Sequence, residues 1–174
     1  WKHGMVIMCR FPLDIVVGKG VYVGSQVQLN RQVHLGDRCH LSGHIILGER
    51  VVLEAAVLLS TYEGQTMILE DDVEILNRNH LKGNMHIGQG SRIESGVIMT
   101  GSTTYPMKIG RNVTVKGTSY LFGCTVDDNL LIEHSIIKSK HVQQVRRKDG
   151  SIQAIRYVLP QPEGLDSIGV LATS

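Results

Sequence analysis

The chain has 174 residues, 42% of them hydrophobic and 20% charged, with a formal net charge of +2. That length is enough for one domain with a real core, and the charge balance gives no case for a nucleic-acid or membrane-surface partner. No apolar run is long enough to span a membrane, and with only 5% aromatic residues the core must be filled by aliphatic side chains.

Residues 1–16 are apolar and irregular and read as an N-terminal cap, with Met5, Val6, Ile7 and Met8 as a short edge strand or cover. The chain begins at Trp1 rather than Met, which is read as processing or truncation, a removed targeting peptide included. From Val17 a strict six-residue spacing takes over: Val17, Val23, Leu29, Leu35, Leu41, Leu47, Leu53 and Leu59. Four residues after each of the first seven anchors stands Val21, Val27, Val33, Cys39, Ile45, Val51 or Val57. Gly18, Gly24, Gly36 and Gly48 directly follow their anchors. Neither a helix period nor simple alternation produces this pattern. It is the hexapeptide repeat of a parallel β-helix. Cys39 and Cys124 occupy core-like positions, so they and Cys9 imply no disulfide framework.

The hexad breaks after Leu59 and resumes at Leu69, with most of residues 60–67 expected to bulge out. It then runs through Ile75, Leu81, Ile87, Ile93 and Met99, and breaks again across residues 101–106. The later anchors are Ile109, Val115, Leu121, an early Val126, and Ile132. The pattern is similar to the left-handed β-helix superfamily, in which three hexads make one triangular coil. Six hexads separate the two breaks, so both loops should leave one corner of the prism, roughly 10 Å apart at a coil spacing of about 4.8 Å. The β-helix is assigned to 17–138, and 139–174 to a C-terminal extension. There, two extended runs flank Lys148-Asp149-Gly150, a hairpin signal. Pro160 and Pro162 stop the second run, and a weakly patterned tail follows. A C-terminal helix with Val142, Val145 and Ile155 on one face is the alternative. The expected class is therefore all-β: a left-handed parallel β-helix with a C-terminal hairpin or helix extension.

Residues Leu81 to Ile132 resemble the γ-class carbonic anhydrases. The run is Leu81-Lys82-Gly83-Asn84, Ile87-Gly88 and Ile93-Glu94-Ser95-Gly96, then Met99-Thr100 before the second loop. Ile109-Gly110-Arg111-Asn112-Val113-Thr114-Val115-Lys116-Gly117 and Leu121-Phe122-Gly123-Cys124-Thr125-Val126-Asp127 follow. The resemblance places the family's three zinc-binding histidines on Thr100, Gly117 and Phe122. Zinc needs three protein ligands and an open water position to make hydroxide near neutral pH. Gly and Phe supply no ligand and Thr is not a usual one, so neither a metal nor another cofactor is expected. The family's subunit-contact Arg and Asp become Lys82 and Asn84, and its Gln-Asp pair becomes Glu94 and Ser95. Lys82, Asn84 and Glu94 are therefore the expected interface residues, with Tyr62 and Tyr105 on the two loops as partner contacts.

The function implied by this resemblance is a catalytically inactive structural subunit. It would join homologous β-helix chains in a homo- or heterotrimer, among other subunits of a larger assembly. Relatives of that kind serve mitochondrial respiratory complex I and the pointed end of dynactin, and the mitochondrial role is the first expectation. The alternative is a hexapeptide-repeat acyltransferase with a histidine general base, His80 first and His134 second. A third is the β-helix of a sugar nucleotidyltransferase, but no Gly-rich nucleotide-binding segment is present. His34, His40, His80 and His86 precede anchors and should face outward, on faces that do not make them converge. His40 and His80 should share a face, with Leu58 between them. The run Arg146-Arg147-Lys148 reads as a solvated hairpin tip.

Overall fold

A computed structural model of the chain describes residues 14–153 apart from 144 and 147. The expectations for Met5 to Met8, Cys9, Arg147, Ile155, Pro160, Pro162 and residues 163–174 lie outside the described residues. The architecture is a left-handed parallel β-helix of seven coils. Each coil gives one short strand to each of three seven-stranded parallel sheets. The first face carries, among others, Glu74–Ile75, Arg92–Ile93 and Thr114–Val115. The second carries Tyr22–Val23, His40–Ser42, Leu58–Ser60, His80–Gly83, Ile98–Gly101, Tyr120–Phe122 and Ile136–Lys138. The third runs from Val27–Leu29 to His141–Val142 through Met85–Ile87, Met107–Ile109 and Thr125–Val126.

The hexad sets this geometry because successive strand side chains alternate between inside and outside. Leu35, Leu41, Leu47, Leu53, Leu59, Leu69, Ile75, Leu81, Ile87, Ile93 and Met99 are all fully buried. Burying each aliphatic chain of this size stabilises by about 1.5–3 kcal/mol relative to exposure. No coil can bury its own triangle of side chains, so the stack holds as a unit. Backbone bonds run between coils, as from Gly36 N–H to the Leu53 carbonyl (2.7 Å) and from Glu54 N–H to the Ile75 carbonyl (2.9 Å). The buried polar side chains are satisfied: Asn79 donates to the carbonyls of Leu76 and Ile93 and accepts from Val97 N–H at 2.7 Å. Ser91 donates to the Gly110 carbonyl. Burial pushes the Cys39 and Cys124 thiols up from their ordinary range, consistent with inert core positions.

Two corners of the prism turn on left-handed residues such as Arg38, Ala56, Asp72, Arg78, Thr118 and His134. The third corner, between the second and third faces, is where both loops leave, from the third and fifth coils. The equal-corner expectation therefore holds. The loops are shorter than the sequence suggests, because Ser60 and Gly101 still belong to strands and Met67 already begins one. Met67 is fully buried in register with Met85, two residues before the anchor Leu69. The helix also runs past Lys138, for His141–Val142 stacks on Thr125–Val126 as part of the seventh coil. Beyond it Val145–Arg146 pairs antiparallel with Ile152–Gln153, so the described part of the extension is a hairpin.

Candidate functional site

The three positions where the resemblance places zinc ligands do not meet within one chain. Thr100 and Phe122 are register partners on adjacent strands of the second face. Gly117 lies at the opposite edge of that face, where an added Cβ would press on the Ser95 carbonyl. Phe122 points outward and is exposed. Among the described residues no group of three or more His, Cys, Asp or Glu is placed to hold a metal ion.

The histidines are dispersed as expected. His40, Leu58 and His80 form one outward column. His40 stacks on Tyr22 with ring centroids 4.6 Å apart. His80 is exposed between Leu58 and Ile98. His134 sits at a corner in a left-handed conformation, its Nδ1 2.7 Å from the Thr118 hydroxyl. Two others are held by carboxylates on the third face: His86 Nε2 lies 2.8 Å from Glu70, and His141 Nε2 lies 2.6 Å from Asp127. The hexad shows that His86 faces outward, but Glu70 sits a coil earlier in space and gives no sequence signal for the pair.

The expected interface residues divide in two. Lys82 is on the second face in the same strand as His80, two residues along, so both side chains point outward about 7 Å apart. Its ammonium rests 4.7 Å from the centre of the Tyr62 ring, a cation–π contact. Asn84 works inside the chain: its Oδ1 accepts from Thr66 N–H of the first loop (2.9 Å), and its Nδ2 reaches the Ser102 carbonyl of the second (3.5 Å). The fourth-coil corner thus ties the two loops together, a role the hexad pattern does not reveal. Tyr62 and Tyr105 stand out on those loops, 61% and 57% exposed. Glu94 lies on the first face in the column after the anchors. Neither Glu94 nor Glu54 has an ion-pair partner among the described residues, whereas Glu74 pairs with Arg92 and Glu133 with Lys116.

The second face is chemically distinct. Its outward side chains are Tyr22, His40, Ser42, Leu58, Ser60, His80, Lys82, Ile98, Thr100, Tyr120, Phe122, Ile136 and Lys138, and none is a carboxylate. Apart from Val16 and the two loop tyrosines, every large exposed hydrophobic among the described residues lies here: Tyr22, Leu58, Tyr120, Phe122 and Ile136. Tyr120, Phe122 and Ile136 lie on adjacent strands, and His40 and His80 interrupt the rest of the column.

No protein-family model matches the chain, and no curated protein matches it. Among solved structures it is similar to a point mutant of perosamine N-acetyltransferase from Caulobacter crescentus in complex with CoA and GDP-perosamine. That match has 11% identity and a TM-score of 0.45, covering 80% of this chain and 57% of that one. It is also similar to Arabidopsis UDP-N-acetylglucosamine acyltransferase, at 15% identity and a TM-score of 0.32, covering 83% of this chain and 71% of that one. A second mutant of the Caulobacter enzyme gives 13% identity and a TM-score of 0.22, covering 82% and 52%. The chain thus spans little more than half the length of the Caulobacter enzyme, and the likeness adds nothing to the choice among functions.

Proposed function

We propose that this chain is a self-associating β-helix subunit whose second face meets a neighbouring subunit and carries an acyl-transfer site at that junction, with His80 as general base. One observation carries the reading: His80 is exposed in the middle of the strand array that collects the chain's apolar surface. A closed ring of identical chains uses a heterologous contact, one face against a different face of the next copy. The second face, with Lys82 and Lys138 and no carboxylate, is complementary to the first face, where Glu54 and Glu94 are unpaired among the described residues. A homotrimer built this way would bury His80 beside its neighbour. There His80 would take the proton of an acceptor hydroxyl as its oxygen attacks the carbonyl of an acyl thioester. The C–O bond forms, the C–S bond breaks, and the proton passes to the departing thiolate. Between the two candidate bases His80 is preferred, because His134 is turned at a corner against Thr118.

The test is thiol release from acetyl-CoA with a panel of hydroxyl acceptors. Removing a general base lowers rates by about 10²–10⁴-fold, so His80→Ala is expected to fall by that factor and His134→Ala to stay near the parent. No release by the parent chain, or equal release by His80→Ala, would overturn the proposal.

A second reading is favoured by the pairing of Thr100 with Phe122, which puts an aromatic where zinc chemistry would need a ligand. In it the same junction is purely structural. The chain is then a γ-carbonic-anhydrase-like subunit without zinc, in a homo- or heterotrimer inside a larger assembly such as mitochondrial complex I. Metal analysis of the native assembly, with each chain quantified, separates this reading. Related β-helix chains in whole-number ratio and no acyl transfer support it, and one zinc per copy in a homotrimer removes it.

A further inference from the structure

The third face holds an open groove of about 730 Å³ that the acyl-transfer reading does not use. Its spine is a register column of outward side chains, His86, Lys108 and Thr125, on successive coils. The neighbouring carboxylates are already engaged. Glu70 meets His86 with one oxygen and accepts the Gln89 N–H with the other, at 2.8 Å each. Asp127 meets His141 at 2.6 Å, and Asp128 accepts the Arg111 N–H at 2.7 Å. Partial burial works against ionisation of Glu70, but the Gln89 amide, His86 and Arg111 outweigh it and hold the carboxyl below its ordinary range. Lys108 and Arg111 line the middle of the groove, and neither has an ion pair among the described residues. An ammonium, a guanidinium fork and the Thr125 hydroxyl lining one groove are a donor set suited to phosphoryl oxygens.

We propose that this groove binds a phosphate ester or diphosphate of a small soluble molecule, held by Lys108 and Arg111 with Thr125 as a further donor. A phosphoryl anion could equally come from a lipid headgroup. Among the described residues none of the large exposed hydrophobics lines the groove, so the soluble ligand is the one inferred. The site is on a different face from His80, and it stands or falls independently of the acyl-transfer proposal.

The experiment is titration of the full chain with sodium pyrophosphate at constant ionic strength, followed by calorimetry and by amide chemical shifts. Saturable binding with shifts centred on residues 108–111 and 125 is expected, weakened about tenfold or more in K108Q/R111Q, since charged hydrogen bonds contribute 1.5–3 kcal/mol each. Both side chains are exposed, so circular dichroism of the double variant should match the parent. Lys19→Gln, exposed on the first coil and outside the groove lining, should bind as the parent does. A parallel arm uses vesicles of phosphatidylglycerol. Absent pyrophosphate binding, or binding unchanged in K108Q/R111Q, would overturn the proposal. So would vesicle binding that needs Lys108 and Arg111 without any affinity for pyrophosphate.

Discussion

The second and third faces are built by the same hexad, on the same coils, over the same core, and they differ only in what points outward. On the second face Leu58, Tyr120, Phe122 and Ile136 are exposed beside lysines and histidines, with no acid among the outward residues. On the third face His86 and His141 are held by Glu70 and Asp127, while Lys108 and Arg111 of the same groove have no ion pair among the described residues. A polar face with paired histidines and two open cations is suited to water or a small polar solute. One that leaves apolar area and like charges uncovered is made to be covered. The inner residues cannot show this difference, because alternation frees the outer column from the packing that fixes the inner one.

The joint between these two faces gives the largest expected effect. Gly83 ends the His80–Gly83 strand at φ +89°, and an added Cβ would overlap the Gly101 carbonyl. Gly83→Ala carries roughly 1–3 kcal/mol of backbone strain plus the cost of moving the second loop. Gly64, also left-handed but with nothing within 4 Å of an added Cβ, should show the backbone strain alone. Urea midpoints of the two variants check this, and equal losses would mean that the corner contact is slack.

The next effect is on association. Leu58→Asp on the second face is expected to reduce the mass measured by light scattering to that of a single chain. Ile68→Asp, outward on the third face, should leave the mass unchanged. Each chain's own stability should move by only about 0.5 kcal/mol, as for other surface changes. Dissociation by the third-face variant alone would reverse the assignment of the faces.

The smallest effect is electrostatic and belongs to the third face. Glu70 has a lowered folded-state pKa, so its contribution is present above the unfolded carboxylate value of about 4.3. That contribution is lost as pH falls through the lower folded value. Glu70→Gln should therefore lose this contribution at neutral pH and flatten the acid limb of stability below about pH 5, so that parent and variant converge as pH falls. Thermal melts across that range read it directly, and an unchanged limb would mean that the Gln89 and His86 contacts to Glu70 contribute nothing.

The β-helix, its coil count of three hexads, the shared corner of both loops and the outward columns were legible because each rests on which residues must be inside. His40, Leu58 and His80 fall in one column for the same reason. The misplaced loop edges have a local cause. Met67 is inward two residues before an anchor, a place that Val27, Ile45, Met85 and Met107 also fill, yet beside a broken period it looked like part of the loop. Only the last strand of the seventh coil, His141–Val142, falls beyond the expected bound at 138, because it keeps only Val142 inside.

What the sequence determined by itself is the periodic burial of aliphatic side chains, which is local and repeats every six residues whatever lies outside. What only the tertiary structure decided is which outward residues meet. Asn84 bridges two loops, Glu70 turns His86, and Tyr62 covers Lys82, each across a separation of 16 to 20 residues along the chain. Those contacts depend on coils stacked about 4.8 Å apart, a distance that carries no mark in the order of the residues.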